Sequence, residues 1–408
     1  MLVEARFTVL KGGVPQGGPY LADASTGSFT VDRNAEFRRT GEITIEVIPT
    51  IPPPTLMPVN PGSMLAPFGS EIFIETGILS QVTTPTPATQ WVPNGLFVIT
   101  TSTVDDTGED CTVTLDLNDR GWTIAQRALK NPYNFPATSS GNFVTEIQTL
   151  LNMVWSQQTG VQPLQYNIAP TTAIVPTASY DQGSDPWQAA LDMATAIGYE
   201  LYFDVNGIVT GKPVPNPLTQ PITWNFTDVE ADIIGLPGTG SGALFGSAYS
   251  TPVEVSVVMT RDGIYNDIVI QGTGTANDAT YNGDGIETSG SPILAEAADN
   301  NPQSPTWVGG ALGDVPNFVE SSLVTNVGAQ PMANSDLQVA LSTAWTVTVA
   351  TPPNPIFDVD DVVTVTRERV GLVNAFVVLD TITHTFTYDD VMNCTGRILT
   401  NNNFSGTT

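Results

Sequence analysis

Gly27-Ser-Phe-Thr-Val-Asp-Arg-Asn-Ala-Glu-Phe-Arg-Arg-Thr-Gly-Glu-Ile-Thr-Ile-Glu-Val47 decides how the rest of this 408-residue chain is read. Two alternating runs flank a short charged connection. Phe29 and Val31 share one face of the first run, and Ile43, Ile45 and Val47 share one face of the second. Period-2 patterning of this kind marks half-buried strands, so the stretch predicts a strand pair. Between the runs stand Arg33, Arg38 and Arg39, three of only 13 cationic residues, with Glu36 beside them. Two readings of that cluster stay open: a candidate interface ion-pair group, or a charged hairpin end worth little energetically.

The same alternation extends the β reading to about residue 117. Ile72 and Ile74 alternate with Glu71, Phe73 and Glu75, Leu96-Phe97-Val98-Ile99 is a buried-type run, and Cys111, Val113, Leu115 and Leu117 alternate with Thr112, Thr114 and Asp116. Pro49 to Pro67 is a proline-punctuated connection, read as a surface loop. The pattern changes at Asn118-Asp119-Arg120. Apolar stripes then recur at helical spacing: Trp122, Ala125, Ala128 and Leu129, followed by Phe143, Ile147, Leu150, Leu151 and Val154. A third helix carries the best punctuation, with Asp185 suited to the N-cap, Pro186 to the first position and Gly198 to the residue past the end. Its inward face is Trp187, Ala190, Leu191, Ala194 and Ile197. A hairpin follows, Tyr199 to Phe203 and Ile208 to Thr210 about the turn Asp204-Val-Asn-Gly207.

The last block is β again, with runs at Val253–Val257, Ile264–Ile270, Trp345–Val349, Val362–Thr366 and a long strand over Phe376–Thr387. Gly235 to Gly246 reads as a loop or hinge, and Asn334 to Ala344 as a short helix. The chain is therefore mainly β with a small α/β insert. Residues 1–117 make a first β domain completed by about 211–235, residues 118–210 the insert, and residues 250–408 a second β domain with a long insertion at about 273–344. No sequence repeat recurs at a fixed period.

Composition narrows the function classes. The formal charge is −28, with 41 acids. Phosphate neutralisation needs clustered Lys and Arg, so tight nucleic-acid binding is not expected, nor is docking on anionic membranes. No apolar run approaches the ~20 residues of a membrane span, so no membrane insertion is expected. The start Met1-Leu-Val-Glu-Ala-Arg6 lacks the pattern of a secretory signal, and synthesis in a cytoplasm is the expectation. Cys111 and Cys394, far apart in apparent strands, read as free buried thiols.

The search for chemistry yields no catalytic, cofactor or metal residue. His384, the only histidine, alternates with Phe376, Val378, Ile382 and Phe386 and reads as a buried structural residue. Gly207-Ile-Val-Thr-Gly-Lys212 has three residues between its glycines, and Pro213 stands where a phosphate loop needs Ser or Thr. Gly238-Thr-Gly-Ser-Gly242 completes neither a nucleophile elbow nor a dinucleotide fingerprint. Asn282-Gly-Asp-Gly285 and Asp299-Asn-Asn301 offer oxygens to a cation, and turn chemistry explains them equally well. Glycoside hydrolysis needs only two carboxylates, but no acidic pair stands in a recognisable context.

The stretch Gly27 to Gly41 resembles the N-terminal strand pair of tail hub proteins (minor tail or baseplate hub proteins) of long-tailed phages infecting actinobacteria. In that family a Pro-rich segment and a Gly-Ser-Glu strand start follow, as Pro52-Pro53-Pro54 and Pro67-Phe68-Gly69-Ser70-Glu71 do here. The further pieces, in family order, are the Asp119-Arg120 helix start, Gly198 to Asp204, Asp262 to Asp267, Ser304-Pro-Thr-Trp307 and Asn354 to Asp361. The resemblance covers nearly the whole chain. It implies two β-barrel-like domains with smaller inserts and a homotrimer whose barrels form a pseudo-sixfold ring. It also implies a non-enzymatic virion protein at the tail tip of a siphophage, made in the host cytoplasm. Such a hub joins the tail tube to the tip and leaves a channel for DNA during genome ejection. Its implied partners are itself, the distal tail or tail tube protein, the tape-measure protein and downstream tail-tip or receptor-binding proteins, with no cofactor. The acidity then suits either an acidic channel or plain solubility. The alternative is a tail-associated hydrolase acting on cell-wall or surface glycan, which is expected to bring an added catalytic domain before the chain ends at Thr408. A secreted adhesin is a third class, disfavoured by the expected lack of a signal.

Overall fold

The computed structural model describes residues 3–21, 26–47, 56–79, 89–108, 111–136, 141–228, 249–272, 293–386 and 390–399, positions 159, 177, 216, 251, 303, 322, 325 and 343–344 excepted. Seven strands come first: β1 (Val3–Lys11), β2 (Val14–Leu21), β3 (Thr26–Asp32), β4 (Arg39–Val47), β5 (Ser70–Leu79), β6 (Thr89–Asp106) and β7 (Cys111–Asn118). The α/β segment follows as α1 (Arg120–Ala125), β8 (Tyr133–Phe135), α2 (Phe143–Trp155), β9 (Tyr166–Ile168), β10 (Ala178–Tyr180), α3 (Pro186–Thr195), β11 (Tyr199–Phe203) and β12 (Val209–Pro213). Next come β13 (Ile222–Thr227), β14 (Tyr249–Ser250), β15 (Glu254–Met259), β16 (Asp267–Gly272), β17 (Ile293–Ala298), β18 (Pro316–Ser321) and α4 (Asn326–Ser342). The last strands are β19 (Trp345–Thr351), β20 (Val362–Arg367), β21 (Leu372–Thr385) and β22 (Met392–Ile398).

Fourteen of these strands form one sheet, built from two stretches with the same strand order. The first runs β3-β4-β7-β6-β5-β1-β2, and the second runs β15-β19-β22-β21-β20-β13-β14. From β3 to β5 and from β15 to β20 every pairing is antiparallel. The ends differ in sense: β1 is antiparallel to β5 and β2, whereas β13 is parallel to β20 and β14. β13 comes from the segment expected to complete the first β block, and its partners are β20 and β14. Strand β21 joins the stretches, with its N-terminal part beside β20 and Thr381–Thr385 beside β3.

Alternation produces the first core as the sequence predicts. Phe29, Val31, Ile43, Ile45, Val47, Val113, Leu115 and Leu117 point inward with Phe97, Phe226, Val363 and Leu379. Each large apolar side chain so buried stabilises the fold by about 1.5–3 kcal/mol. The second core lies under α2 and α3 and includes Phe143, Ile147, Leu150, Trp187, Phe203, Ile268, Ile270 and Ala333. Asp185 caps α3 by accepting from the Trp187 and Gln188 amides (2.7 and 3.2 Å), and Gly198 beyond its end adopts φ +69°. Three readings change. The first helical stripe gives only the short α1, with Ile124 rather than Trp122 buried. Ile264–Ile270 yields β16, which pairs with β17 and β18 in a separate sheet. The helix read at Asn334–Ala344 starts earlier, at Asn326, and contains Pro331. The runs at Pro52–Pro54 and Gly235–Gly246 lie outside the described residues.

Candidate functional site

The most concentrated polar feature sits where the β3–β4 hairpin meets the second core. The hairpin closes through the Asp32 amide on the Arg38 carbonyl (2.8 Å), which projects residues 33–38 off the sheet. Phe37 from this turn packs against the second core. The indole of Trp187 on α3 donates to the Glu36 carbonyl at 3.0 Å. Pattern places the turn and α3 as separate elements; the structure makes them one joint.

All three arginines of the turn meet carboxylates of their own chain. Arg33 Nε lies 2.6 Å from Asp360, and Arg38 Nη2 lies 2.9 Å from Asp360 and 3.3 Å from Glu200. The Arg38 guanidinium also stacks over Tyr202 at 3.7 Å. Lys212 on β12 reaches Glu200 at 3.1 Å. Arg39 donates to the Phe203 carbonyl (2.8 Å) and to both oxygens of Asp358 (3.1 and 2.9 Å). Glu36 stands exposed at the tip of the turn.

Backbone geometry delivers the acids. Alternation on β11 puts Glu200 and Tyr202 on the face opposite Leu201 and Phe203, which enter the core. Asp358 to Asp361 form a turn in which Asp360 takes φ +72°, a left-handed conformation that Asp tolerates better than most residues. Burial pulls the Arg38 guanidinium down, but Glu200 and Asp360 outweigh it and hold it above its ordinary value. Lys212 is raised in the same way, burial opposing and Glu200 prevailing. A second clamp lies nearby, where Arg120 of α1 grips Glu71 of β5 with two bonds (2.7 and 2.9 Å) and donates to the Gly207 carbonyl. Between the clamps Asp119 caps α1 through the Gly121 amide at 2.8 Å. Burial, opposed by backbone donors from Gly121 and Arg39, raises Asp119 to about 6.

Sequence reading found the arginines because cations are scarce. It missed Glu200, Lys212, Asp358 and Asp360 as their partners, although Glu200 and the Asp358–Asp361 turn lie inside motifs quoted for the resemblance. Their separation of 162 and 322 residues from Arg38 leaves no local signal. Charge neutralised within the chain can hold two cores in register.

The other candidates take the following places where they are described. His384 is buried, stacked on Phe29 with ring centroids 4.6 Å apart, and burial lowers it to about 4, so it is neutral at pH 7. Cys111 and Cys394 are free and buried, and burial pushes the Cys394 thiol up to about 12. Gly207 turns the β11–β12 hairpin at φ +71°. Asp299 closes a turn, accepting from the Asn301 amide and the Thr306 hydroxyl. Gly238–Gly242 and Asn282–Gly285 lie outside the described residues. Among the described residues no group of three His, Cys, Asp or Glu is arranged to hold a metal, and no helix is long and apolar enough to cross a membrane.

No family model matches the sequence, and no curated protein matches it. Solved structures do share its fold. The tail protein from Neisseria meningitidis MC58 aligns over 97% of this chain and 96% of its own, at TM-score 0.59 and 11% identity. The prophage MuSo2 43 kDa tail protein from Shewanella oneidensis aligns over 97% and 98%, at TM-score 0.57 and 12% identity. The prophage tail protein gp18 from Listeria monocytogenes EGD-e aligns over 98% and 95%, at TM-score 0.50 and 12% identity. At these identities the likeness is one of fold.

Proposed function

We propose that this chain is a structural, non-enzymatic virion protein, the distal tail hub of a siphophage whose host is an actinobacterium. The observation that carries the reading is the pair of seven-strand stretches of like order, in a chain that shares the fold of three tail proteins along nearly its whole length. In this reading residues 1–117 supply one barrel-like unit and residues 250–408 with β13 and β14 the other, and residues 118–210 and 273–344 are their inserts. Chain reach supports curling of both stretches. β2 and β3 lie at opposite ends of the first, yet Leu21 and Thr26 are five Cα steps apart, at most about 18 Å. β14 and β15 lie at opposite ends of the second, and Ser250 to Glu254 spans at most about 14 Å.

As a hub the protein forms a homotrimer, with six barrel-like units matching a sixfold tube protein on one side and tail-tip or receptor-binding proteins on the other. Its bore passes DNA and the tape-measure protein. Among the described residues eight of the 13 cations are ion-paired within the chain, which leaves few free cations and supports a wall that holds phosphates weakly. Imaging of tails with gold-labelled antibody tests the reading: label at the distal end and a ring of three copies is the expected result. Label along the whole tube, or a ring of six copies of this chain, refutes it.

A further inference from the structure

The two strand stretches match residue by residue, and the match exposes one joint that is made and one that is not. Across the first stretch, Val98 of β6 opposes Asn118, which opposes Thr40, which opposes Thr30 of β3. Across the second, Val378 of β21 opposes Arg397, which opposes Thr346, which opposes Val258 of β15. Val98 also opposes Glu71 at the start of β5, as Val378 opposes Val362 at the start of β20. Just beyond these positions both long strands break register, at Ile99/Thr101 in β6 and at Leu379/Thr381 in β21. Thus β6 corresponds to β21, and β3 to β15.

Past its register break, β21 pairs with β3 on the side where β20 has ended: Thr383 opposes Thr30 and His384 opposes Phe29. This is the joint between the two stretches. The matching part of β6, Thr101 to Asp105, pairs only with β7, and among the described residues no strand lies on its other side. The strand matching β3 is β15, which among the described residues pairs only with β19. Each chain therefore carries both halves of a second joint. Exposure agrees. Val31 beside β21 is 2% exposed, whereas its counterpart Met259 is 68% exposed; His384 is 5% exposed, whereas its counterpart Val104 is 41% exposed. A regular edge strand, with no register shift along β15, needs cover.

The geometry points to a second copy of this chain as the occupant: β15 of one copy adds antiparallel to the outer half of β6 of the next. This deepens the hub reading and rests on it for the number of copies. The in-chain joint fixes the register. Thr383 on Thr30 becomes Thr103 on Val258, with Ser102 on Met259, Val104 on Val257 and Asp105 on Ser256. In that register Glu254, the only ionisable residue of β15, falls opposite Thr107, so no two carboxylates oppose each other despite the net charge. The contact uses two different surfaces, so it propagates head to tail and closes a ring. Three copies then alternate three in-chain joints with three between chains.

Directed cross-linking tests the joint. Thr103→Cys and Val258→Cys change exposed positions, and both native thiols are buried. Oxidised separately, neither variant forms a covalent dimer; mixed, they do, and the double variant gives a ladder that ends at the trimer. Ser102→Cys with Met259→Cys repeats the test one position along. Val258→Cys linking to itself would mean a twofold contact and overturns the inference. So does light scattering that shows trimers without cross-links from either pair, or a chain that stays monomeric and unlinked at its highest soluble concentration. A cross-linked ladder that closes at a number other than three keeps the strand contact and refutes the trimeric hub.

Discussion

Replacing Arg38 by methionine keeps the length of the side chain and removes the charge at the centre of the joint between the two cores. Arg38 is paired with Asp360 and Glu200, whose side chains are only 9% and 13% exposed. Breaking a buried pair and stranding its partner costs about 3–5 kcal/mol. Here Arg33 remains 2.6 Å from Asp360 and Lys212 remains 3.1 Å from Glu200, so the carboxylates keep partial compensation. The low end, about 3 kcal/mol, is the expected loss. Arg6→Met is the control, because Arg6 and Glu75 form a more exposed pair on β1 and β5, outside the joint between the two cores. Amide hydrogen exchange reads the result locally. A loss of 3 kcal/mol raises the opened population of Tyr199–Phe203 roughly 100-fold, while Arg6→Met leaves it nearly unchanged. Equal, small effects of the two substitutions would refute the assignment of the cluster as the element that couples the cores.

Three further outcomes follow from the same geometry. His384 has a folded pKa of about 4 against an ordinary 6.5, so the unfolded chain binds its proton first as pH falls. Its contribution is full above pH 6.5 and falls by about 3 kcal/mol on reaching pH 4, and His384→Phe should flatten that part of the urea-stability profile. Asp119 has the opposite sign: its folded pKa of about 6 lies above 3.8, so its protonation favours the folded chain as pH drops between those values. Asp119→Asn should remove that gain while keeping the cap acceptor, and Asp119→Ala should remove the gain and the cap together, lying about 1–2 kcal/mol below Asp119→Asn throughout the same titration. Cys394, raised to about 12 by burial, should resist thiol reagents in the folded protein and react at once in denaturant; rapid labelling of the native chain would contradict its placement.

Much of the fold was legible where periodicity is strict. Ile43, Ile45 and Val47 or Cys111 to Leu117 can bury only one face, and Asp185, Pro186 and Gly198 punctuate α3 with side-chain chemistry that acts locally. Legibility failed where the deciding contact is remote. The first two turns of α4 are hidden because Pro331 interrupts the helical pattern ahead of the legible part from Asn334, and packing on β16 and β17 makes up for it. β16 carries the same apolar run that a strand of the large sheet would, so its own sequence does not reveal its partners. The likeness of the two strand stretches escapes a search for repeats because corresponding connections differ in length. A six-residue turn joins β3 to β4, whereas residues 260–344 separate β15 from β19. The arginines of the candidate site stood out by scarcity, but their carboxylates are ordinary acids until the chain folds.

The in-chain joint also sets a timetable. Thr30 on β3 and Thr383 on β21 meet across 353 residues of sequence. A ribosome adding about 5–20 residues per second needs roughly 20–70 s to make that stretch. Domains generally form in order of synthesis, so β1 to β7 can assemble long before β21 exists. Through that interval β3 presents Phe29 and Val31 along an unpaired edge, a ready template for another nascent chain. Neighbouring ribosomes on one message carry that same edge at the same stage. Crowding during translation, rather than the stability of the finished chain, then governs yield, and slower synthesis at low temperature lengthens the exposure instead of relieving it.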